Sequence, residues 1–402
     1  MKIAQRVKDL PTYLFAELEQ KVRLAEAQGH DVIRLDLDCP DLPPDPKVVA
    51  ALTRAAGRSD AHGYPGDSGQ TAFRQGIAAY YARRFGVSLD PATEILPLLG
   101  AKEGIYYVSQ AVINPSDVAL VPDPGYPTYR SATLLAGGES YPLPLLRENH
   151  FLPNFAAIPA DVLRRARILW LNYPNNPTGA LADLDFFTDA VAFARRHDLL
   201  LVHDNPYADV NWIGLDAPSI LQVPGAKDVA LELNSLSKLA NMAGWRVGMA
   251  VGNATAIGAL TQLKANADSG LFLPVQEAAI IALNLRPEWI AERNAVYQRR
   301  RSLVTRVLDR MRLWYAPYAA TLYIWGEIPP NFADSLTFTE TLLAETGVSL
   351  APGTLFGAHG EGFVRIALTQ PEDRLEDALE RWERWLIGKA TGIALNYLGA
   401  EF

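Results

Sequence analysis

The sequence predicts an α/β fold: a large domain built on a mostly parallel sheet flanked by helices, and a smaller α+β domain behind it. Three observations carry this. With 402 residues the chain exceeds what one compact core usually holds. From about residue 94 to 266, short apolar runs alternate with amphipathic segments, the pattern of strands joined by helices. After Pro287 that alternation stops and an Arg-rich helical segment begins.

The expected strands of the large sheet are residues 94–99, 118–122, 168–172, 199–204, 229–234 and 247–251. Between them, residues 184–197 carry apolar side chains on one helical face. The smaller domain reads as a helix over 288–311, a strand over 321–325, a helix over 335–346, a strand over 362–368 and a terminal helix over 371–386. The expected division is an N-terminal arm at 1–46 packing with the small domain, a large domain at 47–286 and a small domain at 287–388. The tail, 389–402, fits no element.

Composition narrows the function classes. The net charge of -8 argues against a large basic nucleic-acid footprint. One cysteine, Cys39, allows no internal disulfide, and six histidines show no pair at ligand spacing, so no metal is expected. No stretch is long and apolar enough to span a bilayer, and the first residues lack the apolar run of a signal peptide. The expectation is a cytoplasmic enzyme.

Three polar clusters follow expected strands, where open α/β sheets bind ligands. In Ser235-Leu236-Ser237-Lys238, followed by Gly244-Trp245-Arg246, a lysine stands among groups suited to hold a phosphate. The alternative is a surface loop with a solvated lysine. In His203-Asp204-Asn205-Pro206-Tyr207, Asp204 can keep a pyridine ring cationic and Tyr207 can reach that ring's phenolic oxygen; the alternative is a turn cap. In residues 172–179, two prolines and a glycine restrain a loop that points Asn176.

Gly100-Ala101-Lys102-Glu103-Gly104 opens a helix and offers backbone N–H groups to a phosphate. Tyr126, in Pro124-Gly125-Tyr126, can stack on an aromatic ring or merely pack. Arg365 stands in an apolar strand-like run and needs an anion, either a substrate carboxylate or a nearby acid.

Taken in order, these motifs resemble the class I/II aminotransferases of fold type I, over roughly residues 10–386. The resemblance implies the cofactor pyridoxal 5'-phosphate, carried by Lys238, with Asp204 on its pyridine nitrogen. It implies Asn176 and Tyr207 on the phenolic oxygen and Tyr126 on the ring face. Ser235, Ser237, Arg246, Ala101 and Lys102 would hold the phosphate, and Arg365 the substrate α-carboxylate. It further implies a two-fold homodimer in which Tyr64 reaches the neighbour's phosphate. The substrates would be small amino acids and oxo acids, with the glutamate/2-oxoglutarate pair expected.

A narrower similarity is to LL-diaminopimelate aminotransferases of lysine biosynthesis, which would place Tyr13 and Lys102 over the substrate. An aspartate, alanine or broad-specificity aminotransferase stands beside that reading. A β-lyase or decarboxylase on the same cofactor, and an effector-binding regulator, are more distant alternatives.

Two departures bear on substrate choice. Asp36 and Asp38 stand where such enzymes usually carry glycines, so both are expected to narrow the pocket and bring negative charge to it. Leu273 stands where some relatives carry an asparagine.

Overall fold

A computed structural model describes residues 1–11, 14–211 and 217–398. Twelve strands are named in chain order: β1 Ile33–Arg34, β2 Ile95–Leu98, β3 Val118–Asp123, β4 Glu139–Pro144, β5 Ala166–Asn172, β6 Leu200–Asp204, β7 Ala230–Ser235, β8 Gly248–Gly252, β9 Tyr323–Glu327, β10 Val348–Ser349, β11 Ala351–Pro352 and β12 Phe363–Ala367. The large sheet has seven of them in the order β2-β8-β7-β6-β5-β3-β4. Neighbours from β4 to β7 are parallel, while β8 runs against both β7 and β2.

Successive residues of the central strands feed two different cores. Leu169, Leu171 and Leu201 belong to one apolar layer. Ile168, Trp170 and Val202 belong to the other. This is why these strands read as unbroken apolar runs: helices cover both faces. The six expected strands form, and the expected helix at 184–197 is Leu184–Arg196.

The sheet has one strand more than expected. β4, with sequence Glu-Ser-Tyr-Pro-Leu-Pro, is an edge strand that buries little besides Leu143. Its prolines cost no ladder bond on the open side.

The smaller unit is a three-stranded antiparallel sheet, β11-β12-β9, packed on the helices Pro287–Arg310, Ser335–Thr346 and Glu372–Leu398. The N-terminal arm contributes β1, which pairs in parallel with β10. The terminal helix runs to Leu398, well into the segment expected to fit no element. No helix among the described residues is long and apolar enough to cross a membrane.

Candidate active site

The carboxyl ends of β5, β6 and β7 open into a cavity of about 490 Å³, closed on one side by the helix Ala101–Val112. Asp38, Ala101, Lys102, Tyr126, Asn176, Asp204, Tyr207, Ser235, Ser237, Lys238 and Arg246 all line it.

Asp204 ends β6 and is buried. Its Oδ2 accepts the Tyr129 hydroxyl at 2.7 Å. Its Oδ1 is buried without a partner among the described residues. An orphaned carboxylate oxygen in such a place fits the protonated nitrogen of a pyridine ring. Burial pushes the carboxyl up to about 6, against the opposing pull of Tyr129 and His203. The backbone behind it is held by Asn172, whose amide donates to the Asp204 carbonyl at 2.7 Å.

Asn172 has a second task. Its Oδ1 accepts from the Asn176 backbone N–H at 2.8 Å. The rest of that loop saturates itself, with Thr178 N–H and hydroxyl both donating to Asn175 Oδ1. The loop therefore presents Asn176 from a fixed frame. Asn176 Oδ1 accepts from Arg365 Nη1 at 3.0 Å, which leaves its amide N–H groups as the donors available to a phenolic oxygen.

Arg365 is fully buried on β12 and makes no ion pair among the described residues. Its Nη2 donates to the Asp36 carbonyl at 2.7 Å, its Nε has no partner, and the Tyr323 ring lies 4.2 Å from its guanidinium. The structure shows no ion pair at this arginine among the described residues, although the Asp38 carboxylate is near enough to feel its charge. A cation satisfied only by neutral acceptors suits an incoming carboxylate.

Lys238 sits in the short helix Leu236–Leu239, directly after β7. Ser235 caps that helix: its hydroxyl accepts from Ser237 N–H at 3.1 Å and donates to the Val247 carbonyl at 3.2 Å. Arg246 has left-handed backbone (φ 58°), and its guanidinium lies against Gly100. A Cβ at Gly100 would stand 2.4 Å from Arg246 Nη2, and the Gly100 φ is +90°. Only glycine fits there. It lets the arginine approach the open N–H groups at the start of the helix Ala101–Val112, a cradle for a phosphate.

The two unexpected aspartates separate. Asp36 is buried and turned out of the cavity, with both oxygens taken by Arg34 at 2.7–2.8 Å. It adds no charge to the pocket, contrary to expectation. Asp38 does line the cavity. Burial works to raise its carboxyl, but the cations of Lys238, Arg365 and Lys102 outweigh that and hold it below the usual range. Lys238 Nζ donates to the Asp38 backbone carbonyl.

Tyr126 stands edge-on to Tyr129, with ring centroids 5.9 Å apart. Tyr207 is buried, its hydroxyl 3.0 Å from that of Tyr323 on β9. Tyr64 is 90% exposed and does not line its own chain's cavity. Tyr13 lies outside the described residues. Among the described residues no acid, histidine or cysteine group is placed to hold a metal.

Three contributors escaped the sequence reading. Tyr129 holds Asp204, and the only sequence signal is a second tyrosine three residues after Tyr126. Asn172 opens the 172–179 loop, where the sequence points only to Asn176. Arg293, buried on the helix Pro287–Arg310, donates to the Lys238 carbonyl at 2.9 Å, a contact no local pattern announces.

The family model "Aminotransferase class I and II" matches residues 30–381. The chain is 46% identical to an LL-diaminopimelate aminotransferase of Moorella thermoacetica, over 97% of this chain and 99% of that one. Among solved structures, apo BacF from Bacillus subtilis superposes with a TM-score of 0.92 at 38% identity, covering 96% of this chain and 98% of that one. A single mutant of Thermus thermophilus aspartate aminotransferase superposes with a TM-score of 0.88 at 27% identity, covering 96% and 99%. A family model that spans most of the chain, and a relative at 46% identity over nearly all of it, decide the matter: the chain belongs to the class I and II aminotransferases.

Proposed function

We propose that this chain transfers an amino group between LL-diaminopimelate and 2-oxoglutarate on pyridoxal 5'-phosphate. One observation carries the chemistry: the unpartnered Oδ1 of Asp204 and the amine of Lys238 open on one cavity, and Asn176, which lines it, accepts from the guanidinium of Arg365 behind it. The high identity to the Moorella enzyme supports the substrate.

The cofactor, when bound, supplies an electron sink for the carbanion left by loss of an α-proton. This chain's residues do the rest. Arg246, Ser237 and the N–H groups of Ala101 and Lys102 hold the phosphate. Asp204 accepts from the pyridine nitrogen, and Asn176 and Tyr207 donate to the phenolic oxygen. Arg365 seats the α-carboxylate. Lys238 Nζ takes the α-proton and delivers it on the same face of the cavity. Tyr64, exposed on its own chain, completes the phosphate site of a second copy in a two-fold dimer.

The test is a half-reaction followed by the cofactor's visible absorbance. Holoenzyme is mixed singly with LL-diaminopimelate, glutamate, aspartate and alanine. Fast conversion by LL-diaminopimelate is expected. Conversion by aspartate or alanine alone would keep the transamination and remove the proposed substrate. A stable cofactor band with all four would overturn both.

A further inference from the structure

Under the proposed function, almost every charge in the cavity has a task. Arg246 meets the phosphate, Asp204 the pyridine nitrogen, Lys238 the reacting carbon and Arg365 the α-carboxylate. Asp38 has none. Its carboxylate lines the cavity, and among the described residues it accepts no hydrogen bond from another residue. Its own backbone carbonyl meets Lys238 Nζ, so the side chain stands beside the reacting amine.

The contrast with Asp36 matters. Two residues earlier, an aspartate has both oxygens neutralised by Arg34. At Asp38 two of the nearby cations, Arg365 and Lys238, donate elsewhere. Arg365 bonds Asn176 and the Asp36 carbonyl, and Lys238 bonds the Asp38 carbonyl, not the carboxylate. Those same cations keep Asp38 ionised. An ionised carboxylate with open lone pairs, facing a substrate, repels a further carboxylate and accepts an ammonium.

We propose that Asp38 is the acceptor for a second ammonium group on the substrate, so that this enzyme selects diamino acids over their monoamino counterparts. This rests on the aminotransferase reading above. It also means that glutamate and 2-oxoglutarate, which bring a carboxylate and no second amine, are the weaker partners of the pair.

The experiment compares substrates that differ only in the second amine. The first pair is LL-diaminopimelate and L-aminopimelate; the second is L-lysine and L-norleucine. Half-reaction kcat/KM is measured for each on wild-type holoenzyme and on Asp38→Asn. In at least one pair the wild type is expected to favour the diamino member by about 10- to 100-fold, the scale of one charge-assisted hydrogen bond. Asp38→Asn is expected to bring that ratio to within about threefold of unity, the bond then being neutral and weaker.

A wild type that does not discriminate in either pair overturns the proposal, since Asp38 then serves only as an internal counter-ion. So does an Asp38→Asn enzyme that keeps the wild-type ratio. If Asp38→Asn loses the cofactor band, Asp38→Gly is measured in its place under the same criteria; loss of the band in both makes Asp38 part of the frame and overturns the proposal too. Should the lysine pair respond and neither pimelate react, the diaminopimelate reading fails while the role of Asp38 stands.

Discussion

The floor of the cavity and its rim treat the same side chain in opposite ways. On the floor, Asp204 is buried at a strand end, and loss of water raises its carboxyl to about 6. At the rim, Asp38 sits in a chain segment laid over the cavity, and three cations pull its carboxyl down. The floor is a built frame: Tyr129, Asn172 and the 172–179 loop hold its donors and acceptors in place. The rim has a carboxylate that no other described residue hydrogen-bonds. Chemistry common to many substrates belongs on a frame, while choice among substrates belongs where charge is left open.

The largest expected break of that contrast is Asp204→Asn. It removes the anion that a pyridinium requires, and the half-reaction should slow by roughly 10²–10³-fold, the scale of losing one preorganised electrostatic partner. The cofactor-free protein should respond the other way. Asp204 holds its proton more tightly folded than unfolded, so its contribution to stability is complete below about pH 4 and lost as pH rises through about 6. Apo Asp204→Asn should therefore be more stable than apo wild type at pH 8, by up to about 3 kcal/mol, and the gain should vanish near pH 4. Chemical denaturation at the two pH values checks this. A variant less stable at both would show that the carboxylate is structural.

A smaller effect sharpens the pair at the rim. Asp36→Asn takes the counter-charge from Arg34, which is mostly buried, and should cost about 1–3 kcal/mol in denaturant unfolding. Asp38→Asn, which breaks no hydrogen bond to another described residue, should cost less. Equal losses would mean that both aspartates serve the fold alone.

The smallest effect is that of Tyr129→Phe. Without that hydroxyl the Asp204 carboxyl rises further. Binding of pyridoxal phosphate to the apoenzyme needs the ionised form. Its acid limb should move upward by at most about one pH unit, the scale of a single hydrogen bond. A limb that does not move would place the Tyr129 hydroxyl outside the cofactor's electrostatics.

The floor was legible in the sequence and the rim was only half so. Lys238, Asp204 and Asn176 each follow a strand whose apolar run announces it, so the topology gathers them. Tyr129 was missed because its bond to Asp204 joins residues 75 apart in sequence, one on the helix after β3 and one at the end of β6 with β5 between, and nothing local encodes it. At the rim, Asp36 and Asp38 look alike: same residue, two apart, in one apolar stretch. What separates them is Arg34, which closes on Asp36 in the turn after β1. The edge strand β4 was hidden for a related reason, since an edge with two prolines and one buried leucine lacks strand periodicity.

The bond between Arg365 and Asn176 spans the molecule. One residue stands on the small sheet and the other on a loop of the large one, 3.0 Å apart. A carboxylate that arrives at this guanidinium joins a group already in use on one side. It meets a guanidinium that already donates to an amide oxygen and a backbone carbonyl and keeps its Nε open, so docking adds to or rearranges an existing set of bonds. Where the set rearranges, Asn176 is released from one side of the cavity while its N–H groups still face the other. Ligand occupancy therefore touches one of the several bonds that join the two halves of the protein, alongside Tyr207–Tyr323 and His359–Asp123.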